Sequence, residues 1–188
     1  MRHCGTMRLT TPRLTLRPLT AADADAMYEH WASDPAVTRF LRWEPHRDAL
    51  ETFVLLAGWE CLYQNPDYYQ WGVEETATGQ LIGSISVFPA SGARPEDFAA
   101  PLSAPLWEVG YCYGRRWWGK GCAAEALDAV CRFWFGTVEA EALIAGHMPD
   151  NPASGRVMER CGFRFDHEGT EQKFSGEAVP CRFYLRTL

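Results

Sequence analysis

The stretch Val109 to Ala124 contains no acid, yet Arg115, Arg116 and Lys120 place three positive charges in its sixteen residues. Gly110, Gly114, Gly119 and Gly121 fall in the same window. An alternating run leads into it and an apolar helical period follows it, so the order is strand, glycine-rich turn, helix N-terminus. Such a turn exposes N–H groups that no intrahelical carbonyl takes up, and the helix dipole adds partial positive charge. This is the chemistry of an anion site, with a phosphate or pyrophosphate as its natural guest. Glycines at 119 and 121 let a ligand approach the main chain closely. The run Gly114-Arg-Arg-Trp-Trp-Gly119-Lys120 fills the first seven positions of a P-loop. Gly121 then stands where Ser or Thr should hold magnesium, and Trp117 and Trp118 are bulky for a loop wrapped around phosphates, so a nucleotide triphosphatase is a weak match.

The elements that must hold this window can be read outward from it. Leu106 to Tyr113 alternates strictly, with Trp107, Val109, Tyr111 and Tyr113 on one face and Glu108, Gly110 and Cys112 on the other. A helix is predicted from Gly121 to Phe135, burying Ala123, Leu127, Val130, Cys131 and Trp134. Ala142 to His147 reads as a strand. Asn151 to Cys161 reads as a short helix, with Val157, Met158 and Cys161 inward and Gly162 at its end. Upstream, Arg13 to Leu19 is a strand, and Thr20 starts a helix whose Ala24, Met27, Tyr28 and Trp31 share a face until Asp34-Pro35. A second helix is predicted from Arg47 to Tyr63, with Leu50, Phe53, Val54, Ala57 and Cys61 as its buried stripe. Tyr69–Glu74 and Leu81–Phe88 form a hairpin, Pro89 to Pro105 a long surface loop, and Phe163–Phe165 and Arg182–Leu185 close the sheet. The fold class is α/β (α+β): a mixed sheet of about seven strands with helices on both faces.

Composition narrows the function classes. The chain has 188 residues, 47% hydrophobic and 13% aromatic, which are globular proportions for one domain. The formal net charge of −6 argues against general nucleic-acid binding, since phosphate contacts need clustered cations. No run approaches the roughly 20 apolar residues of a membrane span. Residues 1–7 lack the apolar core of a signal peptide and read as a flexible tail, with Met7 a second candidate start and residues 8–188 the domain. The seven cysteines are odd in number and show no C-x-x-C pair, so no metal site is expected. They read as small buried hydrophobes in a reducing, cytoplasmic setting. Monomer and homodimer both stay open.

The string Arg116-x-x-Gly119-x-Gly121 resembles the acetyl-CoA signature of the Gcn5-related N-acetyltransferases (GNAT), and its surroundings carry the likeness further. Glu108-Val-Gly-Tyr before it, Trp118-Gly-Lys-Gly-Cys-Ala-Ala-Glu-Ala-Leu127 through it, and Asn151-x-x-Ser154 with Met158-Glu-Arg-Cys-Gly-Phe163 after it resemble the ribosomal-protein alanine acetyltransferase-like (RimJ/RimL-type) branch. So do Thr11-Pro-Arg-Leu-Thr-Leu-Arg-Pro-Leu19 and Asp34-Pro-Ala-Val-Thr-Arg-Phe-Leu41. The resemblance implies a mostly antiparallel sheet with one splayed strand pair, and direct transfer of acetyl from acetyl-CoA to a primary amine.

It also implies roles. Backbone groups of Arg116, Trp117, Gly119, Lys120, Gly121 and Cys122 would hold the pyrophosphate, and main-chain groups of Tyr111, Cys112 and Tyr113 the pantetheine. Asn151 would bind the same arm, and its type also suits a helix cap. Glu108 would be the base that deprotonates the amine, and its other reading is a structural carboxylate bound to an arginine. N–H groups near Tyr111 would receive the oxyanion. Many members use a tyrosine of this last helix as the acid and Asn151–Cys161 has none; in the resembling branch a serine fills that role, and Ser154 matches it. Trp31, Trp43, Tyr68 and Tyr69 would wall the acceptor pocket, although aromatics are often core. His147 reads as a satisfied structural group. The acceptor is a protein N-terminus or a small cationic amine. The alternative is a non-catalytic acyl-CoA-binding or sensing module.

Overall fold

Among the described residues, eight strands build one sheet: β1 (Leu9–Thr10), β2 (Leu14–Arg17), β3 (Tyr69–Glu75), β4 (Gln80–Pro89), β5 (Trp107–Tyr113), β6 (Ala142–His147), β7 (Arg164–Gln172) and β8 (Ala178–Thr187). The computed structural model describes residues 1–90, 93–103 and 105–188, so Ser91, Gly92 and Ala104 of the expected long loop lie outside the described residues. The spatial order is β1-β2-β3-β4-β5-β6-β8-β7. Every neighbouring pair is antiparallel except β5 and β6. The strand added to the seven read from the sequence is the two-residue β1.

The helical segments are α1 (Ala24–Met27), α2 (Pro35–Thr38), α3 (Ala49–Leu62), α4 (Cys122–Gly136) and α5 (Pro152–Arg160). Helix α1 continues as a π-turn over Tyr28–Ala32, where the Ser33 amide donates to the Tyr28 carbonyl. Side chains start α2, α3 and α5. Asp34 caps α2 with Pro35 in its first turn, Asp48 accepts from the Glu51 amide to cap α3, and Asn151 caps α5 ahead of Pro152.

Helices cover both faces. Leu14, Leu16, Trp71 and Val109 meet Leu127, Val130 and Trp134 of α4 on one face. Leu19, Met27, Trp31, Leu56 and Leu81 form a second core on the other. The stripe expected for α3 is corrected here. Thr52 and Leu56 are its buried residues, while Leu50 is 67% exposed, Phe53 47% and Val54 62%. Leu55, Leu56 and Trp59 are as apolar as Leu50, Phe53 and Val54, so a helix apolar nearly all round offers no single face to periodicity. The closing strands are also longer than expected, because β7 and β8 pair from Arg164↔Leu185 to Gln172↔Ala178.

The segment expected to be a free tail is tied down. Arg2 donates its amide to the Val138 carbonyl and Gly5 to that of Pro66, each at 2.6 Å. Thr6 Oγ donates to the Tyr68 carbonyl at 2.8 Å and accepts from the Gln70 amide at 3.0 Å. Trp71 Nε1 reaches the Met7 carbonyl at 2.7 Å.

Candidate active site

Strand β5 is paired unequally on its two sides. It pairs with β4 over its whole length, Trp107↔Pro89 to Tyr113↔Gly83. With β6 it shares one register pair, Glu108↔Ile144. The two parallel strands diverge from that point, leaving the β6-facing edge of Val109–Tyr113 without a strand partner among the described residues. Unpaired strand edges are templates for another extended chain.

The glycine-rich turn closes the open end. Gly114 starts a short 3-10 turn over Arg115–Trp117, and Gly121 is the N-cap of α4. Gly119 and Gly121 sit at φ of 73° and 81°, a left-handed conformation costly for side-chain-bearing residues. The first helical amide to bond back is that of Glu125, to the Gly121 carbonyl, so those of Cys122, Ala123 and Ala124 remain for a ligand. The tryptophans divide the anchoring. Trp117 is buried with its ring 5.1 Å from that of His30, and Trp118 Nε1 donates to the Tyr113 carbonyl at 2.7 Å. That bond occupies one main-chain group assigned above to pantetheine.

The three cations are not equivalent. Arg115 is engaged with Asp34, the cap of α2. Arg116 and Lys120 are exposed and make no ion pair among the described residues. A further cation joins them, which the sequence reading missed. Arg13 Nη1 donates to the Lys120 carbonyl at 3.1 Å, and its Nε pairs with Glu125 Oε2 at 2.6 Å. Its only sequence signal was a place in the opening Thr11–Leu19 likeness.

Glu108 is buried at the point of divergence, 6% exposed. Its Oε2 lies 3.2 Å from Arg42 Nη2, and Arg42 also pairs with Glu171 of β7. Burial pushes its carboxyl above the ordinary range, and the Arg42 charge opposes that rise. The arginine-bound reading of Glu108 is therefore met, and it is compatible with a base held in place. On the opposite face of β5, the Tyr111 hydroxyl lies 2.9 Å from Ser154 Oγ. Asn151 Oδ1 accepts from the Ser154 amide at 3.4 Å, a long capping bond. Cys112 Sγ lies 3.4 Å from Ser84 Oγ, and burial pushes its thiol up to about 11, so it is no thiolate at neutral pH.

A family model for the acetyltransferase (GNAT) domain matches residues 13–164. The chain belongs to the GNAT acetyltransferase family. It is 29% identical over 165 residues to the [ribosomal protein uS5]-alanine N-acetyltransferase of Escherichia coli (strain K12), covering 84% of this chain and 78% of that one. It is 29% identical over 156 residues to the uncharacterized N-acetyltransferase YoaA of Bacillus subtilis (strain 168), covering 83% and 82%. The fold is shared with RimL, a ribosomal L7/L12 α-N-protein acetyltransferase solved in complex with coenzyme A, at TM-score 0.76, 16% identity and coverage of 97% and 98%. The chain is thus an N-acetyltransferase of the RimJ/RimL-type branch, and β5 with its diverging neighbour is the splayed pair of the GNAT fold.

The GNAT acceptor side needs correction. Trp31 is fully buried among Leu19, Met27 and Leu56, with no hydrogen-bond partner for its Nε1 among the described residues. Tyr69 is 1% exposed on the face away from Glu108, stacked on Trp71, its hydroxyl bonded to His3 and the Cys4 amide. Neither walls a pocket, because β3 alternation and the α1 packing turn both into the core. Tyr68 is half-buried against Tyr63, the C-cap of α3, and Trp43 half-buried against His46. His147 is buried, with Nδ1 on the Met148 carbonyl and Nε2 3.5 Å from the Tyr184 hydroxyl.

Proposed function

We propose that this GNAT chain moves an acetyl group directly from acetyl-CoA to a primary amine, either a protein N-terminal α-amine or a small cationic amine. The observation carrying this reading is β5 itself. One strand bears a buried carboxylate at its one register pair with β6, and an amide-rich, cation-flanked turn at its end. These features fit the coenzyme: the free amides beside Gly119–Cys122 with Arg116 and Lys120 suit a pyrophosphate, and the open β5 edge near Tyr111 and Cys112, with Asn151, suits an extended pantetheine. Acetyl-CoA supplies a thioester, an acyl group activated toward amines.

The chain's own groups then handle protons. An α-amine has a pKa of about 8 and a lysine of about 10, so each arrives largely protonated. Glu108 takes that proton, directly or through a water. Amides near Tyr111 receive charge developing on the carbonyl oxygen. Ser154, backed by Tyr111, supplies the hydrogen bond or proton that the departing sulfur needs.

The name of the Escherichia coli relative favours an alanine-terminated protein substrate as the first acceptor to test. The experiment is steady-state coenzyme A release with an alanine-terminated peptide, a polyamine and an aminoglycoside. Turnover with one of them is expected. Saturable acetyl-CoA binding with no turnover on any amine would favour the binding module instead.

A further inference from the structure

Arg42 lies in the connection between α2 and α3, far in sequence from both carboxylates it meets. Nη2 is 3.2 Å from Glu108 Oε2 and also pairs with Glu171 Oε1 of β7. The three side chains are 19%, 7% and 18% exposed for Arg42, Glu108 and Glu171, so solvent screens the pairs weakly. The Arg42 carbonyl accepts from the Phe174 amide at 2.8 Å, in the turn of the β7–β8 hairpin. Its guanidinium stands 5.4 Å from the ring of Phe88, the β4 register partner of Glu108. The hairpin thus grips Arg42 by main chain and side chain, and Arg42 holds Glu108 from the acceptor side of the sheet.

We propose that Arg42 is a positioning residue for Glu108, and that Glu171 governs how much of the Arg42 charge Glu108 feels. The inference rests on Glu108 as the base. One guanidinium serves two carboxylates, so its field is divided between them. Cys181 of β8 is a further titratable side chain coupled to this pair; burial pushes its thiol up to about 12, so it stays neutral in the working range. Removing the Arg42 charge leaves Glu108 buried, unpaired and beside Glu171, and favours its protonated form. Removing the Glu171 charge takes a negative neighbour from the shared guanidinium, leaves more of the Arg42 field to Glu108 and favours the ionised form. The two substitutions therefore act in opposite directions, which loss of a structural contact alone would not produce.

The test compares wild type, Arg42→Gln, Arg42→Lys and Glu171→Gln by pH profile of kcat/KM and by NMR titration of the Glu108 carboxyl carbon. For Arg42→Gln the acid limb and the titration should move to higher pH by about one unit or more. For Glu171→Gln, which keeps side-chain shape, both should move to lower pH. Arg42→Lys retains charge without the fork and should fall between wild type and Arg42→Gln. Titrations that stay put, or move the same way in Arg42→Gln and Glu171→Gln, would overturn the proposal. Opposite titration shifts with a stationary activity limb would remove the base assignment and leave the Arg42–Glu171 coupling standing.

Discussion

The hydroxyl of Tyr111 lies 2.9 Å from Ser154 Oγ and joins β5 to the first turn of α5 on the open side of the sheet. The same hydroxyl donates to the Ser154 carbonyl at 3.2 Å. Burial pushes its acidity below that of a free phenol, so it remains protonated at neutral pH and can donate. Helix α5 lacks a tyrosine, and the strand beside it supplies one.

Ser154→Ala should lower kcat by about 10²-fold while the KM for acetyl-CoA stays within about twofold, as for loss of a proton-donating group. Tyr111→Phe should lower kcat less, by about tenfold, because Ser154 remains. Steady-state coenzyme A release checks both. An unchanged kcat in Ser154→Ala would remove that residue from the acid role.

Glu108→Gln preserves side-chain size and abolishes the base, so kcat should fall by about 10²–10⁴-fold with acetyl-CoA affinity retained. In the wild type the carboxyl is raised by burial, and the base form is present above that raised value and lost as pH falls through it. The acid limb of kcat/KM should therefore lie above the ordinary glutamate range, and should be absent from the residual activity of the variant. Full turnover in Glu108→Gln would end the assignment.

Gly121→Glu should abolish acetyl-CoA binding in a folded protein, because a carboxylate would occupy the anion site. Gly121→Ala is the control, since both variants bear the left-handed backbone penalty of about 1–2 kcal/mol at φ 81°. Calorimetric titration with acetyl-CoA should find binding kept within about tenfold in the alanine variant and lost in the glutamate variant. Equal affinity in the two would refute the placement of the pyrophosphate.

Deleting residues 1–6 should lower stability by about 2–3 kcal/mol, from hydrogen bonds worth about 1 kcal/mol each such as those of Thr6 with Tyr68 and Gln70. Thermal unfolding should show Tm reduced by about 5–10 °C for a chain of this size. A Tm unchanged within error would mean that the segment adds nothing.

Asp23→Asn should flatten acid unfolding. Burial alone would raise the Asp23 carboxyl, but hydrogen bonds from Arg17, at 2.9 Å to each oxygen, and from Thr20 hold it below its ordinary value. A lowered carboxyl confers stability that is complete above its unfolded pKa and lost as pH falls through the folded one. Tm of the wild type should drop steeply below about pH 4, and that of Asp23→Asn should already be lower at neutral pH and fall less. Parallel Tm profiles would show that the Arg17 pairing carries no such linkage.

Some of this molecule is written locally. Ala142 to His147 is the same strand in sequence and structure, a short apolar run that the sheet buries on both faces. The glycine-rich turn between β5 and α4 is equally plain, because a strand period, left-handed glycines and a helix start follow one another within a dozen residues. Local readings fail where the chain is ambiguous. Helix α3 is apolar on nearly every side, and most of β7 is half-buried or exposed, so neither carries a period that names its partner.

The sequence by itself determined the family, the strand, glycine-rich turn and helix start proposed to receive an anion, and the carboxylate on that strand. Only the tertiary structure decided that Trp31 and Tyr69 are core, that Arg13 joins the glycine-rich turn, and that Arg42 divides its charge between Glu108 and Glu171. Arg42 and Glu108 are 66 positions apart and meet because β5 is central while the hairpin of β7 and β8 folds back over the α2–α3 connection. Short-range periodicity encodes which way a residue faces along its own element. Which charges meet in a low-dielectric interior depends on how those elements are stacked, and no spacing within one segment carries that information.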